Sequence, residues 1–114
     1  MSLKNDISLD ARKILLINDK GNYTIPTNGL YPFQWNWDSA FAAYGFAQFD
    51  IPRAWKELET LFSAQWINGM VPHIIYHQVD DGYVPGPNIW RGIGPIPSSG
   101  ITQPPVVASL MKKI

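Results

Sequence analysis

The sequence has no cysteine, which excludes disulfides, thiolate metal ligands and cysteine nucleophiles and leaves the redox compartment unmarked. It has little charge: 16% Asp, Glu, Lys and Arg, against about 25% in an ordinary globular chain. Nine basic residues balance nine acidic ones and are scattered, so there is no electrostatic footprint for nucleic acid or an anionic membrane, and neither partner is expected. No stretch approaches about 18 continuous apolar residues, and the opening Met1 to Asp6 is polar, without the apolar core of a signal peptide. The expectation is a cytoplasmic protein. There are only two histidines and two glutamates, which limits both metal binding and acid–base chemistry.

What is present in excess is aromatic surface and proline. Aromatics make up 13% of the 114 residues, five of them Trp, and there are ten prolines. Trp is costly to bury with its N–H unpaired, so this abundance points to a large core or to flat walls for a ligand such as a sugar. A thin charge supply further implies that much of the surface is covered by something else.

Read along the chain, Ala11, Ile14 and Leu15 recur at helical spacing between Ser8 and Asn18, with Ser8 or Asp10 as caps and Gly21 as a stop. Gly21 to Tyr31 is too densely punctuated for more than a brief extended piece around Tyr23 and Thr24. Asp38 precedes an almost wholly apolar run from Ser39 to Phe49 that predicts a helix buried on most sides. Asp50 and Pro52 start another. Its stripe is Ala54, Trp55, Leu58, Leu61 and Phe62, with Arg53, Lys56, Glu57 and Glu59 on a wet face. An all-apolar helix followed by an amphipathic one suits a double-layered helical ring. From Trp66 to Gln103 five prolines predict a long irregular loop with one extended run at Val71 to Val79. A last helix is expected after a Thr102 cap, with Pro104 and Pro105 in its first turn and Val106, Val107, Leu110 and Ile114 as its stripe. The fold class is therefore all-α: a single domain, 1–114, of about four helices and one long loop.

Aromatic and amide groups crowd the segment Tyr31-Pro32-Phe33-Gln34-Trp35-Asn36-Trp37-Asp38-Ser39 at the mouth of the buried helix. A carboxylate at a helix start accepts backbone N–H bonds and stays ionised, which suits Asp38 to accept from ligand hydroxyls; a plain helix cap is the alternative. His73 and His77 stand four apart, a spacing that binds metal on a helix, but Gly69 and Pro72 argue against a helix and no third ligand is evident, so no metal and no cofactor is expected. Asp80 and Asp81 read as a solvated turn, followed by Tyr83 as a candidate lid over a pocket. Gln103 sits at a helix mouth where its amide can donate and accept.

Four blocks in order, Trp35-x-Trp37-Asp38-Ser39, Asn68-Gly69-Met70-x-Pro72-His73-Ile74, Gly82-Tyr83 and Gly100-Ile101-Thr102-Gln103-Pro104-Pro105, resemble glycoside hydrolase family 63 and its mannosylglycerate- and glucosylglycerate-hydrolysing bacterial members. The resemblance runs over nearly the whole chain from Ser8. It implies a partial (α/α)6 toroid. It also implies that Tyr31, Trp35, Trp37 and Asp38 line the subsite for the hydrolysed hexose, that Gln103 reaches the same pocket, that His73 lies beside the sugar, and that Tyr83 belongs to a closing loop. The family's inverting acid and base are expected after the matched region, so no catalytic residue is expected in this chain. Two functions follow: a fragment of an inverting glycosidase acting on small glycosides, or a non-catalytic sugar-binding or interaction module. A ligand-free helical scaffold is a third reading. Self-association, or contact with the remainder of the barrel, is expected on either of the first two.

Overall fold

A computed structural model describes residues 3–90 and 92–114. The molecule is mostly helical, with α1 (Leu3–Asn18), β1 (Gln34–Trp35), α2 (Asn36–Phe46), α3 (Ile51–Phe62), β2 (Ile74–Ile75), α4 (Pro87–Trp90) and α5 (Val107–Met111) in order. No described helix is long and apolar enough to cross a membrane. Four principal helices and a long intervening loop are as expected; α4, of four residues, is an additional turn inside that loop.

The core forms around α2, whose Ala40, Ala43 and Phe46 pack against Ala54, Leu58 and Leu61 of α3 and against Ile75 and Val107. Small residues at Ala40 and Ala43 let the helices approach closely, and truncating a buried leucine such as Leu61 there would cost about 2–5 kcal/mol. On the α1 side, a Cβ on Gly45 would lie 2.8 Å from Leu15 Cδ1, which shows how near these two helices run. The Asp50 cap is present, its side chain accepting from Arg53 N at 3.1 Å, with Pro52 in the first turn of α3.

Several local expectations are corrected. α1 begins at Leu3, so Ser8 and Asp10 lie inside it and cap nothing. α2 begins at Asn36, which puts Asp38 in its first turn and Trp35 at the N-cap. α2 is not covered on most sides either: Phe41 is 52% exposed, and Trp37 and Tyr44 are also open. On α3 the polar face is rotated from the expected one, because Arg53 and Glu57 are buried while Trp55 and Phe62 stand exposed. Charged side chains can occupy the inner face because each finds partners there. Thr102 does not cap the last helix; its hydroxyl donates to the Val71 carbonyl at 2.7 Å, and α5 starts only at Val107, after a turn in which Val106 N donates to Pro104 O.

Within the long loop, β2 pairs antiparallel with β1 in the register Gln34 to Ile75 and Trp35 to Ile74. The 97–101 segment covers the other side through Ser99 N to Ile74 O, Tyr76 N to Pro97 O and His73 N to Ile101 O. The region is anchored by Trp66, whose Nε1 donates to Ser98 Oγ at 3.0 Å. A Cβ on Gly92 or Gly94 would fall 2.6 or 2.5 Å from its indole, so the chain can wrap this ring only where it carries no side chain.

Candidate functional site

β1 places consecutive side chains on opposite sides of the backbone, and the first turn of α2 steps them about 100° at a time. Phe33 and Trp35 join Ile74 and Tyr76 in an aromatic cluster, while the intervening Gln34 turns to the interior behind it. Tyr31 meets Trp35 edge-on at 5.3 Å between ring centroids. One residue into α2, Trp37 projects outward and packs edge-on against Phe41 at 6.1 Å.

These residues open onto a cavity of about 280 Å³ lined by Pro26, Tyr31, Trp35, Trp37, Asp38 and Gln103. Segments far apart in the chain thus converge, and five of the seven expected site residues share one pocket. Pro26, the unexpected sixth, belongs to the loop after α1 and is held by Asn18, whose Nδ2 donates to its carbonyl at 3.4 Å. Pro26 and Asp38 also border a second cavity, of about 400 Å³, between α1 and α2, so Asp38 stands on the ridge between the two.

Gln103 meets a different helix mouth from the one anticipated. Its Oε1 accepts the backbone N–H of Trp37 at 3.0 Å, one of the orphan donors of the first turn of α2. The N-cap residue, Trp35, carries only an indole donor and cannot accept that bond. Asp38 is likewise not the cap. It is half-buried, and burial pushes its carboxyl above the ordinary aspartate range against the pull of its own backbone N–H. The helix start therefore does not draw the Asp38 pKa down as expected, because desolvation outweighs it.

Tyr83 and His73 lie outside the pocket lining. Tyr83 packs edge-on to Phe33 at 5.1 Å and to Trp35 at 5.7 Å, behind the pocket wall. Its loop is pinned by Tyr76, whose hydroxyl donates to Pro85 O at 2.9 Å and accepts from Trp90 Nε1 at 2.8 Å. The His73 ring meets Trp90 edge-on at 5.6 Å and bonds Ser99 Oγ through Nδ1, while its carbonyl accepts from Asn36 N at 3.0 Å. Burial lowers its pKa below the usual histidine value. His73 thus touches the start of α2 through its backbone.

A polar layer behind the pocket was not anticipated. Glu57 is fully buried and accepts from Ser39 Oγ at 2.6 Å, Thr24 N at 3.0 Å and Thr24 Oγ1 at 2.8 Å. Arg53 bridges Glu57 Oε2 at 3.0 Å and Asp19 at 2.8 Å, with its guanidinium 4.5 Å from the centre of the Phe46 ring. His77 Nε2 bonds Gln34 Oε1 at 2.7 Å and its ring stacks on Tyr23 at 4.0 Å. Removing one partner of such a buried pair typically costs about 3–5 kcal/mol. The available signal was the i,i+4 spacing of Arg53 and Glu57; nothing local revealed that both point inward.

A family described as the mannosylglycerate hydrolase MGH1-like glycoside hydrolase domain matches residues 31–114. Mannosylglycerate hydrolase MGH2 of Selaginella moellendorffii is 55% identical over 105 residues, covering 91% of this chain and 22% of that protein. Glucosylglycerate hydrolase of Mycolicibacterium hassiacum is 45% identical over 115 residues, covering 93% of this chain and 26% of the relative. The crystal structure of a family 63 mannosylglycerate hydrolase from Thermus thermophilus, in complex with Tris and D-glycerate, matches with a TM-score of 0.85 and 46% identity over 94% of this chain and 25% of that one. The chain spans about a quarter of the length of these proteins, and its helices correspond to part of an (α/α)6 barrel. The pocket and its aromatic wall fall almost wholly inside the matched residues, and the chain belongs to the mannosylglycerate hydrolase MGH1-like glycoside hydrolase family.

Proposed function

We propose that this chain supplies the hexose-binding wall of an inverting glycoside hydrolase acting on mannosylglycerate, glucosylglycerate or a similar small glycoside. The observation that carries the reading is the convergence of Tyr31, Trp35, Trp37, Asp38 and Gln103 on one pocket. Indole faces suit the apolar side of a sugar ring, and a carboxyl and an amide suit its hydroxyls. Because Oε1 of Gln103 is engaged by Trp37, its Nε2 is the group it offers a sugar oxygen. Tyr83 acts by packing against Trp35 behind the pocket wall, and His73 through its hold on the start of α2. The general acid and base belong to parts of the longer relatives that this chain does not match.

The same reading assigns a role to the exposed apolar side chains Ile7, Ile14 and Ile17 of α1 and Phe41 of α2. They meet further barrel helices, and in the isolated chain they drive self-association. Sedimentation at rising concentration checks this, a clean monomer being the contrary result.

The functional test grafts this chain in place of the matched segment of the Thermus thermophilus enzyme and follows hexose release from mannosylglycerate. Trp37→Ala and Asp38→Asn are expected to lower kcat/KM by about tenfold or more, while Asp81→Asn, in an exposed turn, leaves it unchanged. Equal behaviour of all three variants would remove the case for the site.

A further inference from the structure

We infer that Glu57 is a positioning residue, which fixes the pocket from behind through a one-way chain of hydrogen-bond donors running from His77 through Gln34 and Ser39. The inference rests on the reading of the pocket as a sugar site. Glu57 itself is not among the residues that line the pocket, so it is not a catalytic residue.

The direction of the chain follows from which groups can only accept. Around the Glu57 carboxylate stand the Thr24 N–H, the Thr24 hydroxyl, the Arg53 guanidinium and the Ser39 hydroxyl. Arg53 and the Thr24 amide can only donate, so the ionised carboxylate is the form that satisfies them. The Ser39 proton is then committed to Glu57 at 2.6 Å, and its lone pair accepts from Gln34 Nε2 at 2.9 Å. Gln34 Nε2 also reaches the Glu57 main-chain carbonyl at 3.3 Å, which fixes the amide's orientation. Gln34 Oε1 must therefore accept, and His77 presents Nε2–H to it at 2.7 Å. Burial pushes the Glu57 carboxyl up, against the pull of Ser39, Thr24 and Arg53.

The two middle links of this chain, Gln34 and Ser39, sit one residue from the pocket. Gln34 precedes Trp35 in β1, where successive side chains point to opposite faces. Ser39 follows Asp38 in α2, about 100° further round the helix. Pinning Gln34 and Ser39 to one buried carboxylate therefore sets where Trp35 and Asp38 leave the backbone. A purely apolar layer would fill the same space without fixing those two directions. Buried ionic groups kept for geometry more than for net stability follow this pattern.

The test uses the full 114-residue chain in three variants, Glu57→Gln, Ser39→Ala and Thr24→Val, read by thermal denaturation, nuclear magnetic resonance and titration with mannosylglycerate. Ser39→Ala removes the Ser39 link but leaves the buried ion pair; Thr24→Val removes the hydroxyl that donates to Glu57 Oε2 at 2.8 Å and accepts from Arg53 Nη2 at 3.3 Å, both on the far side of Glu57 from Gln34. Ser39→Ala and Glu57→Gln are expected to move the Trp35 indole and Trp37 amide signals and to weaken mannosylglycerate binding by about tenfold. Thr24→Val is expected to lower the melting temperature with those signals unmoved. If Glu57→Gln does not fold, the Ser39 and Thr24 pair decides alone. Equal pocket changes in Ser39→Ala and Thr24→Val, or none in either, overturn the positioning role. Should the unmodified chain ignore mannosylglycerate while Ser39→Ala still moves the signals, the sugar reading falls and the positioning role stands. Should the parent chain bind mannosylglycerate while Ser39→Ala leaves signals and binding unchanged, the positioning role falls and the sugar reading stands.

Discussion

Trp37 and Gln103, 66 positions apart, are joined by a 3.0 Å bond from the Trp37 backbone N–H to Gln103 Oε1. A side chain from the far end of the long loop thereby does for α2 what a Ser or Asp at the N-cap ordinarily does. Gln103→Ala should cost about 1 kcal/mol and lower the melting temperature by several degrees. Gln103→Glu keeps the acceptor and adds a charge favoured at a helix N-terminus, so it should restore stability. It loses the amide donor, so it should not restore sugar binding. Thermal denaturation of the two variants beside a sugar titration separates the roles; equal loss in both measurements for both variants would contradict it.

His73 and His77 are both pulled below the ordinary histidine value of 6.5, in each case chiefly by burial. Below that pH the unfolded chain binds more protons than the folded one. The stability they contribute is present above 6.5 and is lost as pH falls through their folded values. Urea unfolding at a series of pH values should show stability rising up to about neutrality, with a smaller rise in His77→Gln, which keeps a donor for Gln34 but cannot protonate. An unchanged profile in that variant would exclude His77 from the acid response.

How much of this was readable beforehand depended on whether a residue's partners lie nearby in sequence. The Asp50 cap and the Ala40-Ala43 face were legible because their determinants fall within one or two helical turns. Tyr31, Trp35, Trp37 and Asp38 fall in one dense segment, but Gln103 could be joined to them only through family resemblance, since nothing local brings residue 103 to residue 37. Glu57 was misread for the same reason. Periodicity assigns a charged side chain to solvent, whereas its donors Thr24 and Ser39 lie 33 and 18 positions away. The β1–β2 pairing, two residues long on each side, leaves no alternation to detect.

Asp38 titrates in the opposite sense to the histidines. Its folded value is raised above the ordinary 3.8, chiefly by burial, so the folded chain holds the proton more tightly and its contribution is fully present only below 3.8. That contribution is lost as pH rises through the folded value. Asp38→Asn should therefore melt higher than the parent at about pH 7, the difference shrinking towards about pH 3, while binding mannosylglycerate more weakly. Such a trade of stability for ligand contact is common at functional sites. A lower melting point for the variant at neutral pH would show that Asp38 makes a stabilising contact in its ionised form.

The isolated chain should release no hexose from mannosylglycerate, glucosylglycerate or aryl glucosides. Inversion places a protonated carboxyl at the leaving oxygen and an ionised one about 6.5–9.5 Å away, where it activates water on the opposite face. Among the described residues lining the pocket, Asp38 alone carries a carboxyl. Burial raises its pKa rather than lowering it, contrary to what its position at a helix start suggested. The decisive objection is the missing partner. Glu57 is fully buried and bound by Ser39, Thr24 and Arg53; Asp50 is committed to the Arg53 amide as the cap of α3; Asp19 is held by the Arg53 guanidinium. None of these carboxyls lines the pocket, and freeing any of them breaks a bond that orders α3 or the loop before it. Incubation of the purified chain with each glycoside for days, with free hexose assayed, is the check. Release that copurifies with the chain and disappears in Asp38→Asn would mean that a second carboxylate reaches the sugar from this chain after all.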